Sequence, residues 1–121
     1  MAETPLILAL DHNRRNLELL AKFLGKEGYQ VLCATSLEEF EQFLERKEEI
    51  GVVLLDISGF DRSIWEHCEQ LQAAQIPFLV LSPKQSAAIQ QESFAHGARN
   101  MLVKPLVANQ LLGLIRNLLG E

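Results

Sequence analysis

Four short apolar segments of the chain each end at a polar side chain. The segments are residues 6–10, 52–55, 78–81 and 101–103, and the polar residues that follow them are Asp11, Asp56, Ser82 and Lys104. Because these segments do not alternate between apolar and polar residues, they are typical of parallel strands that are buried on both faces. The carboxyl ends of parallel strands meet at one edge of a sheet, where open α/β sheets bind ligands. We therefore expect the four polar side chains to lie together.

Segments with helical periodicity separate these strands. A first helix is expected after Asp11–Asn13, which offer N-cap chemistry, and it should extend to about Lys26, just before Gly28. The other predicted elements are a weaker strand over 29–34 and helices near 37–44, 64–74, 85–96 and 107–119. A strand followed by a helix, repeated five times with short connections, predicts a parallel sheet with right-handed crossovers and helices on both faces. We expect one α/β domain over residues 1–121.

Composition narrows the class of protein. The chain has 121 residues and a formal net charge of −5, which argues against nucleic-acid binding by this segment. No apolar run approaches the roughly 20 residues of a membrane span, so we expect no membrane insertion. Cys33 and Cys68 lack the spacing of metal ligands and are expected to be free thiols in a reducing compartment. These features together predict a cytoplasmic protein.

The polar residues at the predicted strand ends suit a cation and a phosphoryl group. Asp56 is the candidate nucleophile, because a carboxylate can attack a phosphoryl group and carry it as an acyl phosphate. Mg²⁺ takes oxygen ligands, which the carboxylates of Asp11 and Asp56 and the backbone carbonyl of Ser58 could supply. Lys104 would neutralise a phosphoryl oxygen, and Ser82 would donate a hydrogen bond to it. Taken singly, each residue also has a structural interpretation, such as a helix N-cap for Asp11 and a turn residue for Ser82.

The chain resembles the receiver domain of two-component response regulators over essentially its whole length. The motifs that carry the resemblance are Leu8–His12, Val53–Asp56, Leu81–Ser82, Gly97–Ala98 and Lys104–Pro105. The resemblance implies a flavodoxin-like (βα)5 doubly wound sheet of five parallel strands in the order 2-1-3-4-5. It also implies a cis peptide bond between Lys104 and Pro105. The implied function is that Asp56 accepts a phosphoryl group, with the help of Mg²⁺, from a sensor histidine kinase or a phosphotransfer protein. Beyond its own phosphorylation and dephosphorylation, no enzyme activity is expected.

Some residues depart from the family pattern, and these departures bear on whether the implied phosphorylation takes place. His12 occupies the place of an acid that binds Mg²⁺ directly in the family, so we expect Mg²⁺ binding to be weakened. His12 is interpreted as an exposed residue of the first helical turn, as a pH-sensitive group in the acidic pocket, or as a ligand for a transition metal. Met101 stands where the family places its switch tyrosine or phenylalanine, and the loop at 58–64 is also altered. These departures favour an alternative, a pseudo-receiver that acts as a phosphorylation-independent interaction module.

The last predicted helix carries more apolar residues than one buried stripe requires. We expect its core stripe to consist of Val107, Leu111, Leu114, Ile115 and Leu118. Leu112 and Leu119 lie on a second side of the helix, next to Ala108. They are interpreted either as partly shielded by their neighbours or as a patch for a homodimer or another partner. The resemblance implies that the partner face is formed by the fourth helix, the fifth strand and the fifth helix, and that the signal changes this face.

Overall fold

The computed structural model describes residues 5–121; residues 1–4, which the single-domain prediction included, lie outside the described part. The strands are β1 (Leu6–Leu10), β2 (Val31–Ala34), β3 (Ile50–Asp56), β4 (Phe78–Ser82) and β5 (Asn100–Val103). The α-helices are α1 (Arg14–Lys26), α2 (Leu37–Phe43), α3 (Ser63–Ala73), α4 (Ala87–Ala95) and α5 (Ala108–Leu118). A 3-10 helix, Leu44–Glu49, connects α2 to β3. None of the described helices is both long and apolar enough to cross a bilayer.

The strands form one parallel sheet in the order β2-β1-β3-β4-β5. Buried residues of α1 and α5 pack with one apolar cluster of the sheet, and buried residues of α2 and α3 pack with the other. Helices therefore cover both faces of the sheet, and the predicted flavodoxin-like (βα)5 fold with the order 2-1-3-4-5 is confirmed.

Of the strands that lack alternation, β1, β3 and β4 are buried on both faces, as predicted, whereas β5 at the edge of the sheet is buried only at Leu102. In β1, Leu6, Leu8 and Leu10 pack into one apolar cluster, while Ile7 and Ala9 pack into the other. All five residues of β1 are buried. Since successive side chains of a strand point to opposite faces, an unbroken apolar run is what a sheet with two covered faces requires.

Local hydrogen bonds define both ends of α1 and shift the predicted start of β2. The N-cap of α1 is Asn13, whose side chain accepts a hydrogen bond from the backbone N–H of Asn16 at 3.1 Å, so Asp11 is not the cap. At the other end of α1, Gly28 has a φ of +93°, and the N–H of Tyr29 donates to the carbonyl of Leu24. The Tyr29 N–H thus completes the end of the helix, and β2 begins at Val31 rather than at residue 29.

The structure contradicts the predicted partner face on α5 at Leu112, while Leu119 is in line with the alternative of partial shielding. Leu112 is only 7% exposed and Leu119 is partly buried, and both pack into the apolar cluster that α5 shares with α1. Successive helical residues differ by about 100°, so Leu111 and Leu112 lie on either side of the fully buried Ile115 and both reach the sheet. Val107, predicted to face the core, precedes the first helical turn and is 60% exposed.

We expect Leu112→Ala to lower the free energy of unfolding by about 2–4 kcal/mol, because the substitution leaves a cavity against the sheet. The matched control is Val107→Ala, which should change stability by less than about 0.5 kcal/mol because Val107 is exposed. Urea denaturation of the two variants measures the difference. Equal, small effects would show that Leu112 does not contribute to the core.

Candidate functional site

The sheet brings the four predicted polar residues to its carboxyl edge. Asp56 and Ser82 are the last residues of β3 and β4, while Asp11 and Lys104 directly follow β1 and β5. The backbone N–H of Lys104 donates to the carbonyl of Ser82 at 2.9 Å, and that of Asp11 donates to the carbonyl of Ala34 at 3.1 Å. The strand ladders therefore continue up to the site and fix the backbone from which these side chains project.

Lys104 connects the two carboxylates. Its Nζ atom forms an ion pair with Asp56 Oδ2 and lies 3.6 Å from Asp11 Oδ2. The Lys104 side chain is 29% exposed, whereas the carboxylate of Asp56 is almost completely buried. One ammonium group, on the water-accessible side of the site, thus lies between two acidic side chains.

One carboxylate oxygen of Asp56 accepts a hydrogen bond from the backbone, and the other contacts Lys104. Its Oδ1 atom accepts a hydrogen bond from the N–H of Ser58 at 2.9 Å. Its Oδ2 atom receives no hydrogen bond of normal geometry from the described residues, and its contact with Lys104 is an ion pair. A buried carboxylate oxygen whose polar contact is an ion pair, with no hydrogen bond of normal geometry, points to a functional role. This oxygen is the one available to an electrophile or a metal ion.

Ser82 is at the site, but its hydroxyl group is engaged elsewhere. The hydroxyl donates to the backbone carbonyl of Lys84 at 2.7 Å and stabilises the turn after β4. Because Ser82 is fully buried, this turn contact satisfies its polar side chain without a ligand. Ser82 therefore acts as a turn residue in this structure. The predicted hydrogen bond to a phosphoryl oxygen requires its hydroxyl to turn away from Lys84.

His12 lies beside the site and contacts the loop between β3 and α3. Its Nε2 atom is 3.0 Å from the carbonyl oxygen of Gly59, and its ring stacks on Phe60 with 3.8 Å between the ring centroids. His12 is exposed, in line with the first of its three interpretations. Its Nε2 atom is directed at a backbone carbonyl, so the predicted role as a metal ligand does not describe this arrangement. The sequence did not predict Gly59 and Phe60 as partners of His12, although an aromatic residue in this loop could have indicated a stack with the His12 ring.

The other predicted features of the site are Met101 and the peptide bond between Lys104 and Pro105. Met101 is partly buried and packs against the apolar cluster on the face of the sheet that carries α2 and α3. The peptide bond between Lys104 and Pro105 is cis, as the resemblance implies. Met101 lies within β5, and the cis peptide bond directly follows this strand.

The thiol groups are poor candidates for chemistry. Both cysteines are free. Burial raises the pKa of Cys68 to about 12, and burial also raises the pKa of the partly buried Cys33. Since the thiolate is the nucleophilic form of cysteine, neither residue competes with Asp56 as a nucleophile near neutral pH.

The donor set of the site fits Mg²⁺. Within residues 5–121, no three His, Cys, Asp or Glu side chains lie close enough together to hold a metal ion. Two carboxylates and one carbonyl are nevertheless enough, because Mg²⁺ usually keeps several water ligands and needs only one or two carboxylates. Asp11, Asp56 and the Ser58 carbonyl provide hard oxygen donors, and Asp56 Oδ2 is held by an ion pair with Lys104 and by no hydrogen bond of normal geometry from the described residues. A metal ion bound there would compete with the Lys104 ammonium for the same oxygens.

Comparisons with known proteins agree on one family. The family model described as "Response regulator receiver domain" matches residues 7–116. The chain is 28% identical over 124 residues to the transcriptional regulatory protein AruR of Pseudomonas aeruginosa, covering 98% of this chain and 51% of that protein. It is 32% identical over 115 residues to the response regulator MprA of Mycobacterium leprae, covering 93% of this chain and 50% of that protein. The chain therefore spans about half the length of the curated relatives it matches.

Solved structures show the same likeness. A response regulator receiver protein from Pseudomonas putida superposes with a TM-score of 0.86 at 25% sequence identity, and the match covers 97% of this chain and 99% of the other. With both chains covered almost completely, the likeness extends to the whole sheet and to the edge that carries Asp11, Asp56, Ser82 and Lys104.

Proposed function

The chain belongs to the response regulator receiver domain family, and on this premise we propose that Asp56 accepts a phosphoryl group from a phosphohistidine. Receiver domains generally bind Mg²⁺ at their acidic pocket, and those of response regulators interact with histidine kinases or phosphotransfer proteins. The observation that carries the proposal is the position of Asp56 Oδ2, which is buried at the carboxyl edge of the sheet and forms an ion pair with the Lys104 ammonium.

Asp56 Oδ2 is the nucleophile in this proposal. The oxygen attacks phosphorus, an O–P bond forms as the P–N bond to the donor imidazole breaks, and the released imidazole takes a proton from water. The hydrogen bond from the Ser58 N–H to Oδ1 orients the carboxylate for this attack. Phosphoryl transfer depends on such positioning and on neutralising the equatorial oxygens, and Lys104 supplies a positive charge within reach of Asp56.

The proposed ligands for the metal ion are the carboxylates of Asp11 and Asp56 and the Ser58 carbonyl. When bound there, Mg²⁺ would supply positive charge to the phosphoryl oxygens. His12 provides no carboxylate, so the site has one acidic ligand fewer than the family pattern implies. We propose that Mg²⁺ binds, and that it binds more weakly than in a receiver domain with an acid at this position.

The response to phosphorylation involves Ser82 and Met101 in this proposal. The Ser82 hydroxyl would exchange the carbonyl of Lys84 for a phosphoryl oxygen, which changes the turn between β4 and α4. Met101 would act as the switch residue on β5, where it is only partly buried and free to repack. The face formed by α4, β5 and α5 would carry the change to a partner or to a second copy of the chain.

The partner, location and reaction class follow from the same premise. We propose that the phosphodonor is a sensor histidine kinase or a phosphotransfer protein and that transfer takes place in the cytoplasm. The chain acts as an acceptor rather than as an enzyme with its own substrate, apart from the formation and hydrolysis of its acyl phosphate. The net charge of −5 supports a protein partner over nucleic acid for this segment.

Incubation with acetyl phosphate and Mg²⁺ tests the proposal. We expect intact-mass spectrometry to show the addition of one phosphoryl group, and tandem spectrometry to place it on Asp56. The adduct should be absent when a chelator removes Mg²⁺ and should form again when Mg²⁺ is restored. No adduct at millimolar Mg²⁺ would contradict the proposal and would instead support the pseudo-receiver alternative, which neither the family match nor the named relatives favour.

A further inference from the structure

The loop after Asp56 contains a tight turn whose central peptide carries the Ser58 carbonyl. The N–H of Phe60 donates to the carbonyl of Ile57 at 3.2 Å, so residues 57–60 form a β-turn closed by a hydrogen bond. Gly59 is the third residue of this turn and has a φ of +81°, the value that a type II turn requires there. In a type II turn the central peptide is flipped relative to a type I turn. The choice between the two forms therefore sets the direction of the Ser58 carbonyl.

His12 contacts the two residues that complete this turn. Its Nε2 lies 3.0 Å from the Gly59 carbonyl, and because a carbonyl oxygen only accepts, Nε2 must carry the proton and donate. Its ring stacks on Phe60 with an interplanar angle of 11°. A Cβ atom at Gly59 would come within 2.8 Å of His12 Cδ2, so the backbone of the turn packs directly against the ring. We call these contacts of His12 with Gly59 and Phe60 the His12 clamp.

We propose that His12 is a positioning residue that holds the turn over residues 57–60 in its type II form and thereby directs the Ser58 carbonyl for binding of a divalent cation. This inference rests on the proposed function, in which that carbonyl is a ligand. Ser58 is then fixed from both sides, by the hydrogen bond from its own N–H to Asp56 Oδ1 and by the clamp on the residues that follow. The chain has thus replaced a direct metal ligand by a residue that orders another ligand.

The first arm of the test measures the turn without metal or phosphodonor. Hydrogen exchange of the Phe60 amide is followed by NMR in the intact chain and in His12→Ala, Phe60→Ala and the double variant. We expect the exchange at residue 60 to become roughly three- to tenfold faster in His12→Ala, the size of effect expected for the loss of one hydrogen bond. The double variant should exchange no faster than the faster single variant, because both substitutions remove the same stack.

Two further variants separate the contributions to the clamp. His12→Phe keeps an aromatic ring for Phe60 but cannot donate to Gly59, so its exchange rate should lie between those of the intact chain and His12→Ala. Phe94→Ala is the matched control for Phe60→Ala, because Phe94 lies on α4 and is 45% exposed. It should leave the exchange at residue 60 unchanged. An unchanged rate in His12→Ala, or fully additive effects of the two alanine substitutions, would overturn the proposal.

The second arm measures Mg²⁺ binding alone, from NMR shifts or from the fluorescence of Trp65, which lies in the first turn of α3. We expect the Mg²⁺ concentration for half-saturation to rise roughly three- to tenfold in His12→Ala, with partial rescue in His12→Phe. Faster exchange with unchanged Mg²⁺ affinity would also overturn the proposal, since the turn would then not direct the ligand. Failure of the proposed function has a different signature, in which the clamp effects are as expected but the intact chain forms no acyl phosphate.

Discussion

Replacing Asp56 by asparagine abolishes the acyl phosphate that forms with acetyl phosphate and Mg²⁺. The amide has nearly the same shape, but it is neutral and lacks the carboxylate oxygen that attacks phosphorus. Removing a nucleophile commonly lowers the rate by at least about 10³-fold, so the adduct should fall below detection over hours of incubation. Intact-mass spectrometry of the wild-type and variant chains in parallel measures the loss.

Asp61→Asn is the matched control for this substitution. Asp61 is an exposed aspartate of the same loop, and the hydrogen bonds from the hydroxyl and N–H of Ser63 lower the pKa of its carboxyl group. It is therefore ionised at neutral pH, and it lies outside the site. Asp61→Asn should take up the phosphoryl group at the wild-type rate. Phosphorylation of Asp56→Asn at that rate would show that another group, such as Asp11, is the acceptor.

The sheet edge could be predicted because its signal lies in the sequence itself. The apolar runs that end at Asp11, Asp56 and Ser82 do not alternate, and only a parallel sheet with both faces covered buries such runs completely. Once the strands are parallel, their carboxyl ends must meet, and the polar residues there must be neighbours. The backbone alone thus determines which residues gather at the site.

The orientation of individual side chains could not be predicted in the same way. For Leu112 and Leu119 the sequence leaves shielding and a partner face open, because periodicity gives the spacing of a stripe but not the rotation of the helix against the sheet, which packing decides. Ser82 contacts the backbone carbonyl of Lys84, and His12 contacts the carbonyl of Gly59 and the ring of Phe60. Such contacts depend on the path of a loop, which leaves no periodic pattern in the sequence.

The substitution Lys104→Met separates what the Lys104 charge contributes to stability from what it contributes to phosphoryl transfer. In buffer without Mg²⁺ we expect the free energy of unfolding to fall by about 1–3 kcal/mol. The substitution leaves the buried Asp56 carboxylate without its cation and near that of Asp11. The expected loss is below that for a fully buried pair, because the Lys104 side chain is 29% exposed. Thermal or urea denaturation measures the change, and Lys47→Met, which removes an exposed lysine at the opposite edge of the sheet, should change stability by less than about 0.5 kcal/mol.

Lys104→Met should increase the stabilisation that added Mg²⁺ gives and yet slow phosphoryl transfer. With the ammonium gone, the oxygens of Asp11 and Asp56 are free for a metal ion. Since a ligand that binds only the folded chain stabilises it more the more tightly it binds, Mg²⁺ should raise the melting temperature more in the variant than in the wild type. Phosphorylation by acetyl phosphate should nevertheless be slower by about 10²-fold, because the positive charge that faces the phosphoryl oxygens is lost. A variant that gains no extra stabilisation from Mg²⁺ would show that Lys104 does not compete with the metal ion, and an unchanged phosphorylation rate would show that its charge plays no part in the transfer.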